Sequence, residues 1–295
     1  MGGSGECMNE LCERKSALTQ SRLHDLTFVA FDVETTGLSA IACKLVELSG
    51  VKFTLASPHV ETFTTLIDPG EPIPAEVSKL HGITDDMVAD APTIDAVLPG
   101  FYEWCADSIM IAHNASFDVE FLKVHSMRQR LTLPSNAVVC TLALAQNLVR
   151  DSVNHKLKTL SEHFGFGGSL YHRALDDSLY VHKLFAKLIE VGKMETFGHL
   201  EDHSATFSFT ESQKYAPVEL SEQLRAYLDL ITSAIDAQTE IKLTYSSAFQ
   251  STRVVLPQAV IESRGSVYLT AMCRKSNAER TFRLDRIIEV TVHGV

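Results

Sequence analysis

Two acids two residues apart, Asp32 and Glu34, close the apolar run HDLTFVAFD (24–32), so both point to one side of an extended chain. Carboxylates held side by side repel unless cations lie between them. Hard oxygen donors of this kind suit Mg2+ or Mn2+. An isolated D-x-E is more often a pair of solvated acids at a strand end, so the pair needs company. Asp118 is one candidate: it ends HNASFD (113–118), where an apolar stretch passes into a helical pattern, and it shares a helical face with Phe121, Leu122 and His125. A carboxylate on an inward stripe is unfavourable unless paired or metal-bound. The plain alternative is an acid attracted to the positive end of a helix.

A third element is HRALDD (172–177). Helical phase separates its adjacent acids. Asp177 falls in the stripe of Ala174, Val181, Leu184 and Leu188, which must face a core, whereas Asp176 shares its side with Tyr180, Lys183 and Lys187, a solvated face. Asp177 is thus the ligand candidate and Asp176 the surface acid. His172 precedes the helix on a loop, free to reach a water; alone it would read as a surface or capping residue.

These residues need a sheet and helices to bring them together. The apolar run before Asp32, then LVELSGVKFTL and ETFTTLI, read as three strands of a meander, and SIMIAHN as a further strand. DPGEPIP reads as turn and loop, and Thr84 and Thr93 as caps of helices starting at Asp85 and running towards Trp104. Helical patterns cover about 116–128, 140–149, 155–164 and 174–191. Strands first, then helices alternating with a strand, predict an α/β fold: a mixed sheet flanked by helices.

The chain's 295 residues suit one medium domain and one small one. With 45% apolar and 21% charged residues, and no window near eighteen uncharged apolar residues, it reads as globular, cytoplasmic and free of a membrane span. The six cysteines form no C-x-x-C pair and read as reduced thiols, not a zinc site. The net charge of −11 argues against a protein coating duplex nucleic acid through a broad basic face. It leaves room for an enzyme gripping only a strand end, because metal ions can supply the positive charge locally. Residues 241–295 hold eight Lys/Arg against four Asp/Glu, a local +4, which leaves −15 elsewhere. That asymmetry marks a separate C-terminal unit.

Taken together, D-x-E-T-T-G-L (32–38), H-N-A-x-F-D (113–118) and H-x-A-x-x-D (172–177) resemble the DEDDh family of 3′→5′ exonucleases, the DnaQ-like proofreading subunits and their relatives. The proline loop from Pro69 to Pro74 and L-H-G-I-T (80–84) add to the resemblance, which covers about 26–190. It implies a ribonuclease H-like fold and two divalent ions, Mg2+ or Mn2+, held by Asp32, Glu34, Asp118 and Asp177. His172 would take the proton of the attacking water, since histidines titrate near neutral pH. The implied substrates are single-stranded DNA or RNA 3′ ends and the product a 5′-mononucleotide. Thr35, Thr36 and Gly37 would seat the terminal nucleotide and Leu38 would pack on its base, with His81, Asn114 and Phe117 nearby.

Beyond a polar and aromatic stretch at 194–220, read as a linker, Ser221–Ala237 is one amphipathic helix and the rest is short alternating strands. Residues 236–291 resemble a WYL domain, a small β-rich module with an Sm- or SH3-like barrel, although Val267 stands where that family has its tryptophan. The resemblance implies a nucleotide or nucleic-acid ligand at Tyr268, Arg280, Phe282, Arg283 and Arg286, since arginines among aromatics suit phosphate forks and base stacking. The alternative is a structural or homodimer-forming module with the arginines paired to Glu279, Asp285 and Glu289. The expected domains are therefore a tail at 1–23 (opening on MGGSGEC, which reads as a cloning remnant), a nuclease at 24–193, the linker, and a WYL-like domain with its leading helix at 221–295. A rival reading is a regulatory protein whose nuclease fold senses nucleotides and turns over weakly.

Overall fold

The computed structural model describes residues 16–167, 172–210, 219–247, 249–263 and 265–293. Most of the predicted tail and the second half of the predicted linker lie outside them. Among the described residues no helix is long and apolar enough to cross a membrane. The chain forms two compact units. One comprises Met1–Leu38, Lys44–Val119 and Pro134–Glu211; the other comprises Ser39–Cys43, Glu120–Leu133 and Ser212–Val295.

The first unit is built on a six-stranded mixed sheet, β3-β2-β1-β4-β5-β6. Its strands are β1 (Thr27–Thr35), β2 (Leu45–Thr54), β3 (Val60–Leu66), β4 (Ile109–Ala112), β5 (Ala137–Cys140) and β6 (Thr206–Ser208). Between β3 and β4 come α1 (Ala75–His81), α2 (Asp85–Val88) and α3 (Ile94–Trp104). The helices α4 (Ser116–Arg128), of which only Ser116–Val119 belong to this unit, α5 (Thr141–Leu148), α6 (Leu157–His163), α7 (Ala174–Gly192) and α8 (Phe197–Asp202) follow. β1 pairs antiparallel with β2 and parallel with β4.

Alternation along β1 buries both faces of the sheet, as expected of a central strand. Phe28 packs on Phe53 and on Phe185 of α7, with ring centroids 5.6 and 5.0 Å away, while Phe31 meets Phe101 of α3 on the opposite side at 6.2 Å. Asp32 and Glu34 share the parity of Phe28 and Ala30. They therefore point to the side that α7 covers.

Two readings of the sequence need correction here. The first half of the predicted linker is structured: α8 carries a capping box between Thr196 and His199, β6 pairs with β5, and Phe197, Leu200 and Phe209 are buried. Those three side chains gain more from burial than a solvated linker would. Tyr180, placed on the solvated face of α7, is buried instead, and its hydroxyl donates to the Gly167 carbonyl at 3.1 Å.

The second unit contains α9 (Glu222–Asp236), capped by the Ser221 hydroxyl, and an antiparallel sheet of order β10-β9-β8-β7-β11. The strands are β7 (Ile241–Ser246), β8 (Gln250–Ser263), β9 (Ser266–Cys273), β10 (Ala278–Arg283) and β11 (Ile287–Val292). Ile231 and Ile235 of α9 belong to one buried apolar cluster with Ile241, Leu243, Val255 and Val290. The last strand, β11, lies beside the first, β7, and β10 takes the far edge, an antiparallel β-rich unit of the kind expected.

Candidate active site

β1 pairs with β4 only from Phe28↔Ile109 to Ala30↔Ile111, so the segment carrying the two acids runs on past the end of its partner. Beyond Ala112, β4 gives way to a turn in which Asn114 adopts φ 66° and its carbonyl accepts the Phe117 N–H at 2.9 Å, starting α4. Asparagine tolerates that left-handed conformation better than most residues. This turn aims Asp118 at the overhanging part of β1. Its Oδ1 accepts the Val33 N–H at 3.3 Å, and the side chain is buried, 3% exposed.

Asp177 comes from the first turn of α7. Carboxylate oxygens of Asp32, Glu34 and Asp177 all lie within 4.8 Å of one another. Burial, then the neighbouring acids, hold every carboxyl of the group above its ordinary range. Glu34 is pushed up to about 8, Asp118 to about 8 and Asp177 to about 6, and Asp32 is raised as well. The Oδ2 of Asp177 accepts the His172 N–H at 3.2 Å, whereas its Oδ1 is buried with no partner among the described residues. An orphaned buried oxygen beside two further carboxylates is the arrangement a cation satisfies. The donor set, oxygen throughout, fits Mg2+ or Mn2+.

His172 is exposed and sits in the left-handed region at φ 67°, one residue before the N-cap of α7. The Thr35 hydroxyl donates to the Gly37 carbonyl at 2.7 Å. The Thr36 hydroxyl donates to Glu71 at 3.2 Å and accepts the Lys44 N–H at 2.9 Å. Both hydroxyls thus shape the turn after β1. Leu38 projects from that turn 82% exposed, an apolar surface without a protein partner to cover it.

The expectation for His81 changes. It is buried at 3% exposure, its Nδ1 accepts the Ile83 N–H at 3.0 Å, and its imidazole is held below the usual range by burial. The left-handed turn at Gly82, φ 75°, brings the Ile83 N–H back to that ring. Asn114 is exposed and Phe117 half-buried.

Sequence reasoning missed Glu47. It is the β2 register partner of Glu34, is 2% exposed, and accepts from Arg173 and from the Ala174 N–H. A lone acid inside the apolar strand LVELSGV was the available signal, since such a group must find a partner.

In the second unit a cavity of about 420 Å3 is lined by Tyr245, Ser263, Tyr268, Thr281, Arg283 and Arg286 together with residues 39–42. Arg283 is held by Asp285 through two bonds of 2.6 and 2.7 Å, the pairing foreseen in the structural alternative. Phe282 does not face a ligand: it is buried, with its ring edge-on to Tyr245 at 5.2 Å. Arg280 lies outside the cavity lining and bonds Ser276 at 3.2 Å.

Comparison with known proteins bears on these two units. The Exonuclease family model matches residues 29–185, and the WYL domain model matches 226–292. The chain belongs to the exonuclease family. The chain is 44% identical over 171 residues to a DNA polymerase III PolC-type of Listeria welshimeri, covering 58% of this chain and 12% of that protein. The PolC-type protein of Oceanobacillus iheyensis is 34% identical over 265 residues, 87% of this chain and 18% of the relative. The chain therefore spans under a fifth of the length of these relatives. The nuclease domain of 3′hExo, a DEDDh family member solved with rAMP, shares the fold at 19% identity and a TM-score of 0.50, covering 56% of this chain and 92% of that one. The chain thus joins an exonuclease-family domain of ribonuclease H-like fold to a WYL domain, and that family implies divalent metal ions.

Proposed function

We propose that this exonuclease works 3′→5′, releasing 5′-mononucleotides from single-stranded DNA or RNA ends. The observation that carries the reading is the convergence of Asp32, Glu34 and Asp177 around an orphaned buried oxygen, with Asp118 locked beside them. Mg2+ or Mn2+ held by these four carboxylates would supply the activation of a water and the screening of charge on the departing 3′ oxygen. The protein's own groups do the rest. His172, whose backbone is tied to Asp177, takes the proton of the attacking water on a ring nitrogen. Leu38 offers its exposed side chain to the terminal base, and the turn that Thr35 and Thr36 brace, with Gly37, seats the last nucleotide. Asn114 and Phe117, at the β4–α4 turn, border the same site.

For the whole chain we take 24–193 as the nuclease and 221–295 as a binding module. Tyr268 and Arg286 line the cavity of the second unit, which suits a nucleotide or a strand of nucleic acid. A panel of DNA and RNA oligomers, single- and double-stranded, incubated with Mg2+ or Mn2+ tests the reading. The likeness to DNA polymerase III PolC-type proteins puts DNA ahead of RNA. Shortening from the 3′ end with 5′-mononucleotide release is expected; no mononucleotide from any oligomer, or release from the 5′ end, would sink it. Arg286→Ala should weaken retention of long oligomers while leaving cleavage of dinucleotides intact.

A further inference from the structure

Glu47 adds its charge to the field of the acidic cluster without being one of the three grouped acids, and its position is unusually constrained. It faces Glu34 across the β1–β2 pair, on the same side of the sheet. Its Oε1 accepts from Arg173 Nη2 at 2.7 Å, and its Oε2 accepts from Arg173 Nε at 3.2 Å and from the Ala174 N–H at 2.9 Å. The last of these bonds matters because α7 has no cap of its own: Arg173 occupies the N-cap and makes no side-chain capping bond. Glu47 supplies the missing acceptor from another strand, and its charge lies at the favourable end of the helix.

The groups that flank this clamp belong to the site. His172 is the residue before Arg173, and Asp177 is one turn after it, with its N–H bonded to the Arg173 carbonyl at 3.0 Å. A carboxylate 3% exposed against a guanidinium 41% exposed is a poor device for stability, since apolar replacements of such pairs are often neutral or better. It is a good device for fixing a helix start in one place. We infer that Glu47 is a positioning residue of the nuclease site: by clamping Arg173 and the Ala174 N–H it sets the start of α7, and with it the places of Asp177 and His172 opposite the acids of β1. The inference rests on the nuclease reading above.

The test uses the full chain with Glu47→Met, Arg173→Met and the double Glu47→Met/Arg173→Met variant. Three quantities are read: the metal-free unfolding midpoint, Mn2+ affinity by calorimetry without substrate, and kcat and KM on a single-stranded oligomer. Each single change should lower the midpoint, Arg173→Met most, because it strands a buried charge. The double variant should regain the midpoint but bind Mn2+ and turn over about 10–100-fold less well, the range seen when groups behind metal ligands are removed. KM should change little, because no substrate contact is lost. Glu47→Gln, which keeps an acceptor for Ala174, should restore most of the Mn2+ affinity. A double variant with wild-type Mn2+ affinity and kcat overturns the inference. Should the double variant fail to fold, Glu47→Asp decides, because it keeps the charge but withdraws it by one methylene: wild-type Mn2+ affinity there overturns the inference too. Absence of Mn2+ binding by the wild type would instead count against the nuclease reading itself.

Discussion

Asp118 and Val33 are joined across 85 residues by one hydrogen bond, 3.3 Å from the Val33 N–H to the Asp118 carboxylate. Val33 lies between the two acids of β1 and past the last β1–β4 pair, Ala30↔Ile111. Asp118 therefore has two duties: it satisfies a backbone donor that the sheet leaves over, and it adds charge to the cluster. Asp118→Asn separates them. The amide oxygen still accepts from Val33, so the variant should unfold at or above the wild-type temperature without metal, while cleavage falls about a hundredfold or more. Asp118→Ala should lose cleavage equally and destabilise by about 1–3 kcal/mol, because the buried N–H goes unpaired. Thermal melts of both variants beside an oligomer assay check this, and equal melts would argue against the bond.

The raised carboxyls make a prediction with a definite sign. Glu34 titrates at about 8 in the folded protein against an ordinary 4.5, and Asp118 at about 8 against 3.8. Between those limits the folded state holds protons that the unfolded chain has released, so their contribution to stability is undiminished below about pH 4 and declines as pH rises towards 8. Glu34→Gln should accordingly melt higher than wild type at pH 8 in a chelator and match it near pH 4. Divalent metal favours the ionised cluster, so Mn2+ should raise the wild-type midpoint more at pH 8 than at pH 5.5. A larger shift at the lower pH would contradict the raised values.

Adjacent acids at the start of α7 give a sharper test of helical phase. Asp177 lies with Asp32 and Glu34, whereas Asp176 is outside that group. Asp177→Ala should abolish cleavage and Asp176→Ala leave most of it, with both proteins folded by circular dichroism. The reverse pattern would mean that the site is read from the wrong face of the helix.

Much of this was legible from periodicity and spacing. The even parity of Asp32 and Glu34 and the helical phase of Asp118 and Asp177 each reported which way a side chain must point. Local pattern failed where the partner is remote or the element short. Glu47 meets Arg173 over 126 residues, and nothing near either of them announces the other. β5 and β6 have four and three residues, too few for any period to show. Tyr180 was placed in solvent because phase locates it on a face but does not foresee that Gly167 lies over that face. Phe282 sits among arginines in sequence and yet turns inward, since β alternation sends it to the side opposite Arg283.

His113, the first residue of the second motif, does not reach the acids. One ring nitrogen meets the Thr141 hydroxyl at 3.0 Å and the other the His155 carbonyl at 2.8 Å, so it ties the β4–α4 turn to the start of α5 and to the loop before α6. Burial pushes its imidazole down to about 4 from 6.5. The neutral form is the folded one, so its stabilising effect is full above about pH 6.5 and fades as pH falls towards 4, opposite in sign to the carboxyl effect. His113→Leu removes both bonds from a polar pocket and should destabilise by about 1–3 kcal/mol at pH 7.5. The loss relative to wild type should shrink at pH 4.5, where the wild type has itself lost part of that support. Because Asn114 and Asp118 hang from the turn that His113 anchors, cleavage should fall while the Mn2+ dependence keeps its shape. Chemical denaturation at the two pH values, paired with Mn2+ titrations of activity, distinguishes this anchoring role from a catalytic one: a catalytic His113 would leave the denaturation midpoints unchanged.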